Sequence, residues 1–177
     1  MVYYEKELSR EYKFKGKIIN LRFDTVEMPD GNTASREIVE HNGGVAVIAL
    51  DSDNCVYLVR QYRRPLDTDI LEIPAGKLDK DEDHRLGAIR ELKEETGLSA
   101  KSLKYLGGTA PSPGYTSEII HLYLATELTQ GEADPDEDEF LNLEIYPLSK
   151  AIEMIFSGEI TDGKTINAIL MAKEIVK

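Results

Sequence analysis

The stretch GKLDKDEDHRLGAIRELKEETGL, residues 76–98, decides the fold of this chain. Read as an α-helix, its second half places Glu91, Glu94 and Glu95 at positions i, i+3 and i+4, within an arc of about 100°. Its apolar residues centre on nearly the opposite side: Leu86, Ile89 and Leu92. The pattern therefore predicts a helix that packs through one face and presents three carboxylates on the other.

These three carboxylates require an explanation, because like charges one turn apart destabilise a helix by a few tenths of a kcal/mol. A solvated acidic surface is the ordinary explanation for such a run. A divalent cation is the alternative, since carboxylate oxygens suit Mg²⁺ or Mn²⁺. Mg²⁺ is typically held by one or two carboxylates together with substrate phosphates. The helix considered alone leaves both explanations open.

The spacing around the helix is more specific than the helix itself. Gly76 is followed after five residues by Glu82, and after seven more by Arg-Glu-Leu-Lys-Glu-Glu-Thr-Gly-Leu at residues 90–98. This arrangement resembles the Nudix box at every defined position. The resemblance implies an α/β/α sandwich with a mixed sheet and a pyrophosphate hydrolase that uses Mg²⁺, with Mn²⁺ as a possible substitute. Within the box, Glu82 and Arg90 are expected to support the loop and helix geometry.

The same resemblance assigns the metal ligands. Glu91 and Glu95 are the expected metal-binding carboxylates, and Glu94 assists them or orders metal-bound water. The carbonyl of Ala75, next to the box glycine, is a further expected ligand. A metal at these positions would offset substrate charge and lower the pKa of bound water.

Composition sets limits on the class of protein. The chain has 177 residues, of which 41% are hydrophobic, as is typical of a globular domain. Its net charge of −12 is unsuited to binding nucleic acid or an acidic membrane. A small phosphorylated substrate is still allowed, because metal ions and local arginines can invert the charge at a site.

The single cysteine, Cys55, lies in an apolar strand pattern and is expected in the core. It cannot form an internal disulfide, and no signal peptide is recognisable, so we expect a cytoplasmic protein.

Strands dominate the first half of the chain, and helices follow singly. A glycine, Gly97, and the acidic Asp81–Asp83 are expected to cap the helix of the box. Ser149 is expected to cap a second helix near 150–157, and a third is expected near 163–176. The runs predicted as strands, with a hairpin turn at Asp30-Gly31, lie within 3–27, 36–41, 45–50, 55–63, 69–76, 102–109, 117–127 and 141–148. We expect residues 1–35 to form N-terminal strands for dimerisation or substrate covering, and 36–177 to form the Nudix domain.

Substrate evidence lies outside the box. Pro113 follows Gly97 by sixteen residues, within APSPGYTSE at residues 110–118. This loop and the upstream REIVEHNGGVAVIAL resemble the ADP-ribose pyrophosphatase branch of the family. The resemblance implies cleavage of ADP-ribose to AMP and ribose 5-phosphate, with Pro113 and Gly114 near the substrate.

Arginines flanking the apolar strands are the cations best placed for phosphate, because a guanidinium offers a planar fork to phosphate oxygens. Arg36 and Arg60 are the first candidates, ahead of Arg63 and Arg64. The aromatic residues that are candidates for stacking on adenine are not ranked: Tyr12, Phe14 and Phe23. The histidines are expected to be structural or exposed: His41, His84 and His121.

A general base is sought in the acidic loop GEADPDEDE, residues 131–139. In the branch that this chain resembles, a glutamate of the corresponding loop closes over the site as base. Glu139 is the first candidate because it directly precedes a predicted strand, and Glu137 is the second. If neither acts, the base is expected to be Glu94, Glu118 or metal-bound hydroxide.

Other readings remain open at this stage. The enzyme could cleave another nucleoside diphosphate-X compound, such as a sugar nucleotide. The chain could also be a non-catalytic ADP-ribose sensor, although the complete set of box carboxylates disfavours that function. An acidic scaffold would not account for the Gly–Glu–Arg spacing. The N-terminal strands also indicate a homodimer, since exposed strand edges invite pairing.

Overall fold

The computed structural model describes residues 3–135 and 139–176. Within these ranges the chain forms ten strands and three helices. The strands are Lys6–Lys15 (β1), Asn20–Glu27 (β2), Thr33–Glu40 (β3), Gly44–Leu50 (β4), Cys55–Arg63 (β5), Thr68–Glu72 (β6), Ala75–Lys77 (β7), Leu98–Thr109 (β8), Ile120–Gln130 (β9) and Leu141–Pro147 (β10). The helices are His84–Thr96 (α1), Leu148–Ser157 (α2) and Gly163–Ile175 (α3).

The chain divides into two compact units. The first contains the chain up to Gly43 together with Ala110–Ile119. Its antiparallel sheet has the order β1-β2-β3, and β1 is an exposed edge strand along its whole length. The predicted hairpin is confirmed, because Asp30-Gly31 joins β2 to β3 and Gly31 has the positive φ of 84° that such turns favour.

The second unit contains Gly44–Thr109 and the chain from Ile120 onward. Its sheet has the order β10-β5-β4-β9-β8, with β6 added beside β5 and β7 beside β4. Strands β4 and β9 run parallel, and the other pairs are antiparallel. This is the mixed sheet that was predicted.

Strand β4 lies at the centre of the second unit and is buried at every residue. Its side chains point alternately to two cores, since successive strand residues face opposite sides. Val47 packs with Leu92 of α1 on one side. Ile48 packs with Met154 of α2 and Ile169 of α3 on the other. The unit is therefore an α/β/α sandwich, as predicted.

Helix α1 has the predicted caps. The Asp83 carboxylate accepts hydrogen bonds from the N–H groups of Arg85 and Leu86, at 2.9 and 3.1 Å. Gly97 ends the helix with φ of 73°, and its N–H donates to the Lys93 carbonyl. Nearby residues thus satisfy free N–H groups at the start of the helix and a free carbonyl at its end.

Two local predictions were wrong. Helix α2 begins at Leu148 rather than near residue 150, and Ser149 lies inside it without capping it. The Leu148 N–H donates instead to the Asn54 carbonyl at 2.9 Å, so a distant turn replaces the side-chain cap. Cys55 is only partly buried, because it pairs with Pro147 on the edge strand β10. Its partial burial is the main cause that raises the pKa of its thiol, and the charges of the nearby aspartates add to the shift. The thiol is therefore a poor nucleophile.

Candidate active site

Helix α1 is rotated relative to the prediction. Leu92 is buried, but Leu86 is 63% exposed and Ile89 is 48% exposed. The carboxylate-bearing residues Glu91 and Glu95 are instead 7% and 2% exposed. The buried side of the helix also carries two small residues, Gly87 and Ala88, which allow it to approach the sheet closely. Two of the three box carboxylates therefore face the protein interior.

These two carboxylates lie against Ala75–Gly76 at the start of strand β7, called the Gly76 segment here. A Cβ atom at Gly76 would overlap the Glu91 carboxylate as it is now placed, so glycine allows this close approach. The Ala75 N–H donates to Glu95 Oε2 at 3.0 Å. The Gly76 segment thus contacts both carboxylates through its backbone.

Arg90 connects the carboxylates of the box. Its Nη1 donates to Glu91 at 2.7 Å and to Glu94 at 2.9 Å. Its Nε and Nη2 donate to the two oxygens of Glu82, both at 3.2 Å. Burial lowers the pKa of Arg90, but the bond to Glu82 and the charge of Glu91 outweigh it, so the guanidinium stays charged. Glu82 also accepts from the Asp79 N–H at 2.9 Å and so anchors the loop to the helix.

The buried carboxylates are electrostatically strained. Burial raises the pKa of Glu95 to about 8; the Ala75 N–H opposes this shift, and the charges of Glu91 and Glu139 add to it. Burial also raises the pKa of Glu91, with the Arg90 charge opposing and the charges of Glu94 and Glu139 adding. Glu139 is therefore close enough to influence both carboxylates. Glu137, the second candidate for the base, lies outside the described residues.

The residues present fit a hard divalent cation. Two carboxylates beside the Gly76 segment offer oxygen ligands, and their burial, which raises the pKa of both, disfavours a negative charge that no cation compensates. Across residues 3–135 and 139–176, three or more His, Cys, Asp or Glu side chains do not converge as a complete metal cage. A site completed by backbone oxygen, water and substrate phosphates, as is usual for Mg²⁺, is consistent with both observations.

The arginines predicted to contact substrate already have carboxylate partners. In the first unit, Arg36 Nε donates to Glu5 at 3.0 Å. In the second unit, Arg60 binds Glu144 of β10 through Nε at 2.6 Å and Nη2 at 3.2 Å. Each pair is partly exposed, so phosphate binding by either arginine would require exchange of its present partner.

The predicted proline loop belongs to the first unit. Pro113 and Gly114 are exposed in a turn in which Ser112 O accepts from the Tyr115 and Thr116 N–H groups, at 3.2 and 3.1 Å. The aromatic candidates lie in the same unit, with Tyr12 and Phe14 exposed on β1 and Phe23 partly buried on β2.

The histidines have structural contacts. The rings of His84 and His121 stack at 4.1 Å, beside Tyr105 and Tyr123. His41 lies 3.4 Å from Glu118 and accepts from the Gly43 N–H.

Sequence reasoning missed Glu72, which is 1% exposed and lies four residues before Gly76. It accepts two hydrogen bonds from Arg63, the arginine ranked below Arg36 and Arg60. The signal was an isolated charge in the apolar run ILEIP, because carboxylates are almost never fully buried without partners.

Comparisons with known proteins agree with this geometry. Residues 40–169 match the NUDIX domain, and residues 5–39 match the nucleoside diphosphate sugar hydrolase N-terminal domain. A methanol dehydrogenase activator of Bacillus methanolicus is 46% identical, over 98% of this chain and 96% of the relative. An ADP-ribose pyrophosphatase of Bacillus subtilis is 42% identical, with the same coverage. A GDP-mannose pyrophosphatase of Yersinia enterocolitica is 33% identical, over 84% of this chain and 85% of the relative.

A solved structure described as an ADP compounds hydrolase has the same fold. It superposes with a TM-score of 0.85 at 22% identity and covers 97% of this chain and 94% of its own. None of the three helices within the described ranges has the length and apolar character needed to span a bilayer. With the box geometry, the family match and relatives of nearly full length, the chain belongs to the Nudix family and is a Nudix pyrophosphohydrolase.

Proposed function

We propose that the protein hydrolyses the pyrophosphate bond of ADP-ribose to AMP and ribose 5-phosphate with Mg²⁺, for which Mn²⁺ can substitute. The observation that carries this proposal is the burial of Glu91 and Glu95 against the Gly76 segment, with the pKa of both raised. The identities to ADP-ribose pyrophosphatases, 42% in Bacillus subtilis and 37% in Mycobacterium tuberculosis, support the choice of substrate.

The roles of the residues follow from their positions. Glu91, Glu95 and the Ala75 carbonyl would hold the metal, and Glu94 would assist. When bound, the metal would offset the charge of the pyrophosphate and increase the acidity of water. Arg90 keeps the carboxylates in place through its bonds to Glu82, Glu91 and Glu94.

The chemical step exchanges one P–O bond for another. Water forms a new bond to phosphorus, and the bridging P–O bond breaks. Glu139 is proposed to take the proton of the water, because it is close enough to raise the pKa of the box carboxylates. Arg36, Arg60, Pro113 and Gly114 are proposed to contact the substrate.

The N-terminal residues are proposed to serve assembly. Residues 1–35 would cover the substrate or join two chains, and residues 36–177 would form the catalytic domain. A homodimer is proposed because β1 is an edge strand whose exposed apolar side chains include Leu8 and Phe14. A cytoplasmic location is proposed from the single cysteine, Cys55.

A second candidate substrate is a sugar nucleotide. It is supported by the match of residues 5–39 to a nucleoside diphosphate sugar hydrolase N-terminal domain and by the similarity to a GDP-mannose pyrophosphatase. The 46% identity to a methanol dehydrogenase activator supports a further role, activation of an alcohol dehydrogenase. Each of these two functions can be tested with the purified protein in an assay of its own.

The test is a substrate panel of ADP-ribose, GDP-mannose and UDP-glucose with Mg²⁺, read as phosphate released by added phosphatase. We expect ADP-ribose to give the highest kcat/KM, and Glu91→Gln to lower kcat at least about 100-fold, as for lost transition-state electrostatics. A higher kcat/KM for GDP-mannose would replace the proposed substrate. Binding of ADP-ribose without turnover would indicate a sensor.

The activator role needs a separate assay. Methanol dehydrogenase rates are compared with and without the protein and with Glu91→Gln, since an effect that survives the substitution would not depend on hydrolysis.

A further inference from the structure

The first turn of α3 is joined to Glu72 and Ile73, which precede the Gly76 segment. Thr165 is fully buried, and its hydroxyl accepts a hydrogen bond from the Ile73 N–H at 2.9 Å. The same hydroxyl donates at 2.6 Å to Asp162, the N-cap residue of α3. Ile73 is also fully buried, so its N–H cannot turn to solvent if the hydroxyl is removed. The position of Ile73 is therefore tied to the end of α3.

A second link runs through Glu72. Its carboxylate accepts from Arg63 at 2.6 and 3.0 Å and pairs with Lys164. Lys164 Nζ is also 3.1 Å from Asp162. Burial raises the pKa of Glu72, but Arg63 and Lys164 bring it below its ordinary value, so the carboxylate is charged. Such a buried carboxylate is stable only while both cations stay in place.

Both links lie close to the metal ligands. One residue, Pro74, separates Ile73 from the Gly76 segment, and its fixed φ restricts how far the two can move apart. The Pro74 carbonyl is itself held by the Val47 N–H at 2.9 Å.

We propose that Lys164 and Thr165 form a positioning clamp for the metal site. By holding Glu72 and Ile73, they set the position of the Gly76 segment against the carboxylates of α1. The inference rests on the proposed function where it assigns metal to Ala75, Glu91 and Glu95. Neither clamp residue touches the metal or the substrate; both act through the segment they hold.

The test uses substitutions that keep size and remove one link. Thr165→Val is isosteric and removes both hydroxyl bonds, whereas Thr165→Ser keeps them. Lys164→Met removes the charge, whereas Lys164→Arg keeps it. Lys173→Met, at the exposed end of the same helix, is the control for loss of a lysine from α3.

Two properties are measured well below the melting temperature of each variant. Mn²⁺ binding without substrate is followed by electron paramagnetic resonance, and ADP-ribose turnover is followed with saturating Mg²⁺. We expect Thr165→Val and Lys164→Met to weaken Mn²⁺ binding and lower kcat, each by about 10- to 100-fold, the range for residues that orient metal ligands. KM should change little, and Thr165→Ser, Lys164→Arg and Lys173→Met should behave like the parent.

A merely structural role gives a different result. If Thr165→Val loses stability but keeps the parent's Mn²⁺ affinity and kcat, the clamp is refuted. If Thr165→Val does not fold, the comparison of Lys164→Met with Lys164→Arg decides in the same way. A parent that binds Mn²⁺ but does not cleave ADP-ribose would overturn the proposed substrate, and the Mn²⁺ comparison would still decide the clamp.

Discussion

Replacement of Glu95 by glutamine should stabilise the metal-free protein and abolish its function at the same time. Glu95 is 2% exposed and its pKa is raised from 4.5 to about 8, first by burial and then by the charges of Glu91 and Glu139. Between these two pH values the folded protein holds a proton that the unfolded chain has released. Stability is therefore highest at low pH and falls as the pH rises towards 8.

The magnitude follows from the shift. At 1.36 kcal/mol per pKa unit, a shift from 4.5 to about 8 corresponds to at most about 5 kcal/mol. Water penetration and local relaxation reduce such values, so we expect about 2 kcal/mol. Glutamine can still accept the Ala75 N–H bond, and it carries no charge. Glu95→Gln should accordingly be about 2 kcal/mol more stable than the parent at pH 8.5.

The assay is urea unfolding in EDTA at pH 5.5, 7 and 8.5. Circular dichroism is the appropriate signal because the chain has no tryptophan. Glu94→Gln is the control, since Glu94 is more exposed and its charge is paired with Arg90. A Glu95→Gln protein that is less stable than the parent at pH 8.5, or that keeps the parent's pH slope, would refute the reasoning. Added Mn²⁺ should stabilise the parent more than the variant.

Three further predictions concern Gly76, the general base and the dimer. Gly76→Ala should weaken Mn²⁺ binding at least about tenfold because its Cβ overlaps the Glu91 carboxylate, whereas Gly163→Ala, which meets open space, should be neutral by the same titration. Glu139→Gln should lower kcat for ADP-ribose by about 100-fold or more with little change in KM, and Glu137→Gln should not; equal turnover by both variants and the parent would exclude the loop as base. Light scattering at micromolar concentration should give the mass of a dimer, and a monomer would count against pairing through β1.

Much of the local structure could be read from short-range pattern. The caps of α1 are Asp83 and Gly97, as predicted, because capping depends on residues within one turn. Strand β5 has the predicted bounds, Cys55–Arg63, since its apolar run ends at a turn before Pro65. The cap predicted at Ser149 is absent because the first N–H of α2, that of Leu148, donates instead to the carbonyl of the distant residue Asn54.

Long-range partners explain the remaining differences in the candidate site. Arg36 and Arg60 were chosen because they flank apolar strands, and their partners Glu5 and Glu144 are 31 and 84 residues away along the chain. Nothing in a local pattern indicates such pairs. The role of Glu72 likewise depends on its cationic partners Arg63 and Lys164, and the second of these is distant in the sequence.

The sequence by itself determined the box, the Nudix resemblance and the clustering of three glutamates on one side of α1, because a helical repeat places residues at i, i+3 and i+4 together in any surroundings. Tertiary structure alone decided that this side faces inward. The helix buries Glu91 and Glu95 and leaves Leu86 exposed, because Gly76, which lies in the separate strand β7, leaves room for a carboxylate where a Cβ would otherwise lie. Burial, which raises the pKa of both carboxylates and so favours a cation, depends on these neighbours and not on spacing.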